Sequence, residues 1–156
     1  MSLERALALP DPEDSVDALA DPLWHRVEDD WTGLSSAEQV IFSIWSLKVE
    51  VCNGGLAQFF FNAVGEAAPQ VLDGLKQIGA YRVAEILERA WRVIGTDVPL
   101  LNWRARQARV DALASFDRDQ LRALDDEFYD LLADTMQKAR AFAVAHRREF
   151  RDVPNT

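Results

Sequence analysis

Residues 50–65, EVCNGGLAQFFFNAVG, determine the expected organisation of this chain, because polar residues and glycines interrupt an otherwise apolar segment. Gln58 and Asn62 are four residues apart and therefore share one face of a helix, while their apolar neighbours need burial on the other faces. Glu50 and Asn53 lie upstream, close enough in a hairpin of helices to form hydrogen bonds with both amides. The segment therefore predicts two helices that meet at a polar cluster, and the more common role of such a cluster is a buried polar lock.

The two adjacent glycines mark the expected junction. Glycine readily adopts the left-handed conformation that ends a helix, so the first helix is expected to end at Asn53-Gly54-Gly55. Gly54 is the residue expected to be left-handed. A short helix over residues 56–64 should follow, and Gly65 is expected to break it.

The order of these residues resembles a family of small bacterial helical proteins, mostly catalogued as a domain of unknown function, that includes a DNA-mimic protein. The resemblance covers residues 35–91 and rests on Glu50, Asn53-Gly54-Gly55, Gln58-Phe59-Phe60, Asn62, Gly65, Ile78-Gly79-Ala80 and Ala90. It implies an all-α fold. From the one well-described type of member, it also implies an acidic protein that occupies the DNA-binding surface of a partner. The family has no agreed activity, so the resemblance supports the fold more strongly than the function.

Helix-start signals recur along the rest of the chain. They are two Asp-Pro pairs and two capping boxes: Asp11-Pro12, Asp21-Pro22, Ser35 with Glu38, and Asp117 with Gln120. Pro69 is expected to open a further helix, whereas Gly79 and Gly95 should end two others. These signals predict a succession of helices joined by short connections.

The last helix is expected to be the longest, over residues 118–148. Its apolar residues recur at spacings of three and four, which predicts this inward face: Leu121, Leu124, Phe128, Leu131, Thr135, Ala139 and Phe142. No segment alternates with the period of a strand. With 156 residues and 49% hydrophobic content, we expect a single compact all-α, multi-helix domain over residues 1–156, with its motif core at 35–91.

The composition is acidic, with 26 acidic against 17 basic residues and a net charge of −9. This charge argues against direct binding of nucleic acid and favours either simple solubility or a basic partner. An acidic N-terminal segment, residues 1–31, holds nine acids against two arginines. The single cysteine, Cys52, excludes an internal disulfide and is expected to be buried among apolar neighbours.

A second acidic group lies on the expected last helix. Asp119, Asp126 and Asp130 lie on the side of the helix opposite its apolar face, and Asp134 lies one position further round the helix. Four residues of helix rise about 6 Å, comparable with the roughly 7 Å between successive phosphates on one strand. Aspartates at this spacing can imitate a row of phosphates, although any amphipathic helix also needs a polar outer face.

An enzymatic function finds less support. His25 and His146 are the only histidines, and neither has a carboxylate or cysteine at metal-ligand spacing. The polar cluster could instead act as a general base with amide groups that position a substrate, in a pocket lined by Phe59 and Trp45. The five tryptophans are expected in the core or between helices rather than in a ligand site.

Together these patterns favour a non-catalytic acidic binding protein, in its most specific form a DNA mimic directed at a basic DNA-binding protein such as a transcription regulator. The expected partner-binding residues are Asp119, Asp126, Asp130, Asp134, Glu28, Asp29 and Asp30. We expect no cofactor, metal, direct nucleic-acid contact or membrane association, and a cytoplasmic location, since the N-terminus lacks a basic region followed by a long apolar run. The alternative is an enzyme or small-ligand-binding protein that uses Glu50, Asn53, Gln58 and Asn62, which would require an open cavity at that cluster.

Overall fold

Helices account for most of the computed structural model, which describes residues 1–27 and 31–151. The described residues form no strand, and the predicted all-α class is confirmed. In chain order the α-helices are α1 Leu3–Leu7, α2 Pro12–Trp24, α3 Ser36–Phe61, α4 Ala68–Gln77, α5 Tyr81–Ile94, α6 Trp103–Asp111 and α7 Ser115–Ala145. Two 3-10 helices, Ala63–Ala67 and Arg147–Glu149, follow α3 and α7.

Local capping explains several of the helix starts. The Asp11 side chain accepts a hydrogen bond from the Glu13 N–H at the start of α2, and Ser35 and Glu38 form the predicted capping box of α3. The predicted start at Asp21-Pro22 is wrong, since Pro22 lies within α2. It occupies the last turn of that helix, where its missing N–H removes one hydrogen bond close to an end that frays in any case.

The predicted start of α7 at Asp117 is also wrong. The helix begins at Ser115, and its N-cap is Ala114, which has no side-chain hydrogen bond. The Arg118 side chain donates to the backbone carbonyl of Val110 at 2.9 Å and ties the first turn of α7 to the end of α6. Asp117 therefore lies inside the first turn, where its charge suits the helix dipole.

The predicted break in the middle of the chain is present as a kink within α3. Gly54 (φ −154°, ψ 18°) and Gly55 (φ 79°, ψ −179°) have non-helical backbone angles, and helical geometry resumes after them. The left-handed residue is therefore Gly55, and the expectation for Gly54 was wrong by one position. Gly65 does not break a helix either, because the extended Asn62 ends α3 and Gly65 is buried inside the following 3-10 helix.

One hydrophobic core joins all seven helices of the described chain, with α3 at its centre, packed against α2, α4, α5, α6 and α7. As predicted, α7 is the longest helix, with 31 residues. Of its predicted inward face, Leu131 and Phe142 are half-buried and the other members are buried. A smaller cluster of Leu23, Leu34 and Phe42 packs beside this core.

Within the described residues, α3 is the one helix long and apolar enough to pass a test for a membrane span. Its most apolar window has a mean hydropathy of 1.2, and 61% of that window is buried inside the protein. The core helix of a soluble protein has the same composition, because most of its residues are buried against other helices.

Candidate functional site

The kink of α3 brings three residues of the predicted polar cluster together. The Gln58 side-chain amide donates to Glu50 Oε2 at 2.7 Å, and the Asn62 amide donates to the same oxygen at 2.8 Å. Asn53 is exposed, and its side chain forms no hydrogen bond within the part of the chain that the structure describes. The Glu50 network therefore consists of Glu50, Gln58 and Asn62, and Asn53 is not part of it.

A cavity of about 620 Å³ opens beside this network. Glu50 and Asn62 form part of its wall, so the network is half-buried at an open surface rather than sealed in the core. Trp45 lines the cavity as expected, whereas Phe59 is fully buried and does not. This opening is the feature that the ligand-binding alternative required.

Aromatic side chains form much of the cavity wall, and we call it the aromatic cavity. Trp24, Trp31, Trp45 and Phe42 all line it, with ring centroids 6.0 Å apart for Trp24 and Trp45 and 5.6 Å apart for Phe42 and Trp45. Trp24 is 58% exposed and the other two tryptophans are half-buried. Trp31 and Trp45 pack against the core clusters and Trp24 contacts Trp45 between α2 and α3, as expected for tryptophans between helices, but all three also line the cavity. The periodicity of α2 could not show this, because it does not specify which element packs on each face.

The four aspartates predicted on the last helix are all exposed on α7. We call Asp119, Asp126, Asp130 and Asp134 the aspartate stripe. Two of its members have cationic neighbours: Arg122 lies 3.0 Å from Asp119, and Lys138 lies 2.7 Å from Asp134. Within the described residues, Asp126 and Asp130 have no ion pair, so two carboxylates one helical turn apart face solvent without compensation.

The N-terminal acids are placed differently. Glu13 and Asp17 form ion pairs with Lys48 of α3 at 2.9 and 2.7 Å, and so hold α2 against the core. At the far end of α7, Arg140 donates to the Leu9 carbonyl at 2.8 Å. The segment before α2 thus lies beside the basic end of α7, away from Asp119. The predicted binding residues Glu28, Asp29 and Asp30 lie outside the described residues.

Sequence reasoning missed Asp125, which anchors the kink. Its Oδ1 accepts a hydrogen bond from the Leu56 N–H at 2.8 Å, across 69 positions of sequence. Burial raises the pKa of Asp125 above its ordinary value and outweighs the opposing effect of that hydrogen bond. Tyr129, one turn later, donates to the Val51 carbonyl at 2.9 Å. Asp125 lies four residues after Leu121, and this proximity to the inward face was the available signal.

Arg106 was also missed, although it is completely buried. Its guanidinium donates to the carbonyls of Phe60 and Asn62 at 3.1 and 3.0 Å and so caps the C-terminus of α3. Nε and Nη2 have no partner within the described residues. Burial lowers the pKa of Arg106, while the nearby Glu66 raises it. The spacing of four to the buried Val110 was the sequence signal for this inward orientation.

The remaining candidates contribute little chemistry. Cys52 is exposed, so the expectation of a buried cysteine was wrong; it follows the buried Val51 directly and lies about 100° further round α3. His25 is exposed, and the His146 ring stacks on Phe142 with centroids 4.0 Å apart. Among the described residues, no group of three or more histidine, cysteine, aspartate or glutamate side chains could hold a metal ion.

Residues 32–146 match a family model described as DMP19-like protein. The match spans 115 of the 156 residues and includes the Glu50 network, Asp125, Arg106 and the aspartate stripe. It begins after Trp31, so the cavity residues Trp24, Val27 and Trp31 lie outside it. Comparison with curated proteins and with solved structures finds no match.

Proposed function

The chain belongs to the DMP19-like protein family, and we propose on that premise that it is a non-catalytic acidic binding protein. In its specific form it is a DNA mimic, which occupies the DNA-binding surface of a basic DNA-binding protein such as a transcription regulator. Family membership is consistent with this role. The proposal also includes a cytoplasmic location and no direct contact with nucleic acid, which accords with the net charge of −9.

The observation that carries the proposal is the exposure of the aspartate stripe. Asp126 and Asp130 lack ion pairs within the described residues and are separated by about 6 Å of helix rise. That distance is close to the roughly 7 Å between neighbouring phosphates on one DNA strand. A basic surface that contacts successive phosphates could therefore contact both carboxylates at once.

The rest of the stripe extends this pattern in both directions. Asp134 follows Asp130 by a further turn, and Asp119 lies two turns before Asp126. The ion pairs of Asp119 and Asp134 are exposed, and such pairs contribute at most about 1 kcal/mol. Arg122 and Lys138 can therefore rotate away when a stronger cationic surface approaches.

Replacement of all four stripe aspartates by asparagine tests the proposal. Asparagine preserves size and polarity, so the free energy of unfolding should change by less than about 1 kcal/mol. A matched control variant loses four negative charges outside the stripe. Its acids are replaced by the corresponding amides at Asp73, Glu85, Glu88 and Asp111. Both proteins then have the same net charge, and any difference in binding reports the position of the acids.

The assay begins with affinity capture from a lysate of the source cells at low and high salt. A captured DNA-binding protein should bind the chain less tightly as salt rises, because charges rather than apolar groups form the contact. The stripe variant should bind it about tenfold or more weakly, and should lose competition against its DNA. Equal binding by the stripe variant and the parent, or capture without any DNA-binding protein, would refute the proposal. Replacement of Glu28, Asp29 and Asp30 in the same way would show whether they extend the surface.

A further inference from the structure

We propose that the aromatic cavity is a binding site for a small organic cation, an ammonium group carried on an apolar body. This site is separate from the aspartate stripe and does not depend on the DNA-mimic role. The inference rests on three features of the cavity: aromatic walls, a carboxylate without a cationic partner, and a volume suited to a small molecule.

The aromatic walls supply the first feature. Trp24, Trp31 and Trp45 converge on one opening, with Phe42 at its base. The faces of aromatic rings carry negative potential, and tryptophan attracts cations more strongly than the other aromatic residues. Trp31 meets Phe42 edge to face at 5.3 Å, so the two rings lie in nearly perpendicular planes. A cluster with rings in several orientations can surround a tetrahedral ammonium group.

Charge is the second feature. Glu50 lies in the cavity wall, and no basic side chain of the described chain comes within ion-pair distance of it. Both amides of the network bond to Oε2, which holds the carboxylate in place and leaves Oε1 without a hydrogen bond from the described residues. Glu66 also lines the cavity; it is exposed and forms no ion pair with another described residue. No lysine, arginine or histidine is found among the described lining residues. Glu50 and Glu66 are therefore uncompensated anions, Glu50 being the one that the network holds in place, and a cationic ligand would neutralise charge there.

Volume is the third feature, and it favours a molecule over a bare ion. The cavity measures about 620 Å³, within the range of about 300–1,000 Å³ typical of small-molecule sites. A metal ion would need several oxygen or nitrogen ligands at once, which the predominantly apolar walls do not offer. A neutral apolar ligand would leave the Glu50 carboxylate without compensation. An apolar cation satisfies both the rings and the carboxylate.

Nuclear magnetic resonance of the five tryptophan indole N–H groups provides the test. Trp24, Trp31 and Trp45 line the cavity, whereas Trp91 and Trp103 do not, so the chain contains its own internal control. The probes are benzyltrimethylammonium, choline, and 3,3-dimethylbutan-1-ol, which has the shape of choline with carbon in place of the charged nitrogen. We expect both cations to shift the three cavity signals in a saturable way, and the neutral alcohol to bind at least about fivefold more weakly than choline.

Two variants and one control test whether Glu50 and Trp24 contribute to cation binding. Glu50→Gln keeps an acceptor for Gln58 and Asn62 but removes the charge, and should weaken cation binding about fivefold to tenfold without weakening the alcohol. Trp24→Leu should weaken cation binding about threefold or more, and because Trp24 is 58% exposed it should fold normally. Glu85→Gln removes an exposed acid outside the cavity and should leave binding unchanged.

Four results would overturn the proposal. Equal affinity for choline and the neutral alcohol would show an apolar cavity without preference for cations. Equal shifts at Trp91 and Trp103, or unchanged affinity in both Glu50→Gln and Trp24→Leu, would place the cations elsewhere. Shifts of the three cavity signals with protein concentration alone, together with dimer formation in sedimentation, would show that a second copy of the chain covers the cavity.

Discussion

Gly55→Ala is the substitution for which the structure gives the clearest expectation. Gly55 has φ 79° and ψ −179°, a region open almost solely to glycine. A Cβ atom at this position would overlap Asp125 Oδ2 and lie 3.0 Å from Asp125 Cγ. Asp125 cannot move aside freely, because its Oδ1 accepts the hydrogen bond from the Leu56 N–H at 2.8 Å. The substitution therefore strains the backbone and displaces a hydrogen-bonded carboxylate at once.

The two effects have separable magnitudes. Forcing alanine into this backbone conformation costs about 1–3 kcal/mol, and loss of a hydrogen bond to a charged group costs about 1.5–3 kcal/mol. We expect Gly55→Ala to lower the free energy of unfolding by about 2.5–6 kcal/mol in total. Urea denaturation followed by circular dichroism would measure the change, with the helix signal as the probe.

Two other glycines provide matched controls. Gly79 also has φ 79°, but no atom lies within 4 Å of the position that a Cβ would occupy, so Gly79→Ala should cost only about 1–2 kcal/mol for the left-handed backbone. Gly33 has neither a positive φ nor a close neighbour, so Gly33→Ala should be close to neutral. When Asp125 is already alanine, Gly55→Ala should lower the free energy of unfolding only by the cost of the backbone strain. A Gly55→Ala cost no larger than that of Gly79→Ala, with no coupling to Asp125, would refute this explanation of the kink.

Three further substitutions test other parts of the structure. Glu38 is fully buried; although burial alone raises its pKa, hydrogen bonds from Arg26, Arg151 and Ser35 lower the pKa below its ordinary value of 4.5. Its contribution to stability is therefore present above pH 4.5 and is lost as pH falls through the lowered pKa. Glu38→Gln should make the profile of stability against pH flatter in acid and should cost about 1–3 kcal/mol at pH 7. Because burial raises the pKa of Asp125, its charged form destabilises the fold at neutral pH, and this cost disappears as pH falls through that pKa. Asp125→Asn should therefore be at least as stable as the parent protein at pH 7 and should lose that advantage in acid. Chemical denaturation at both pH values would measure the difference. Arg106→Ala removes the cap of α3 and leaves a cavity, and should cost about 3–5 kcal/mol, whereas Arg106→Met keeps most of the volume and should cost less; equal costs in chemical denaturation would contradict the packing role.

Local patterns in the sequence predicted much of the fold correctly. The spacing of apolar residues identified α7 and most of its inward face, and the cap signals located the starts of α2 and α3. The paired glycines identified the kink, although not which of them is left-handed. Each of these features depends on residues within about four positions of one another, a range over which helix geometry alone determines the contacts.

The candidate site could be predicted only in part. The Glu50 network was foreseen because Gln58 and Asn62 share a helical face, and Glu50 lies only 12 positions from Asn62. The aromatic cavity was not foreseen in this form, since it requires α2 and α3 to place Trp24 beside Trp45. The sequence of acidic residues on α7 likewise did not show which of them, Asp125, would anchor the kink and which would be exposed.

The sequence by itself determined the helical class, the kink and the amide pair, since helix periodicity, capping and glycine geometry act over short distances. Tertiary structure alone decided the roles of Asp125 and Arg106, whose hydrogen bonds reach Leu56 across 69 positions and Phe60 across 46. It also decided that Trp24 lines a cavity and that Asp126 and Asp130 have no cation beside them in the described chain. The physical reason is that burial and charge compensation depend on which distant segments pack together, and one helix's periodicity specifies a face but not the neighbour that covers it.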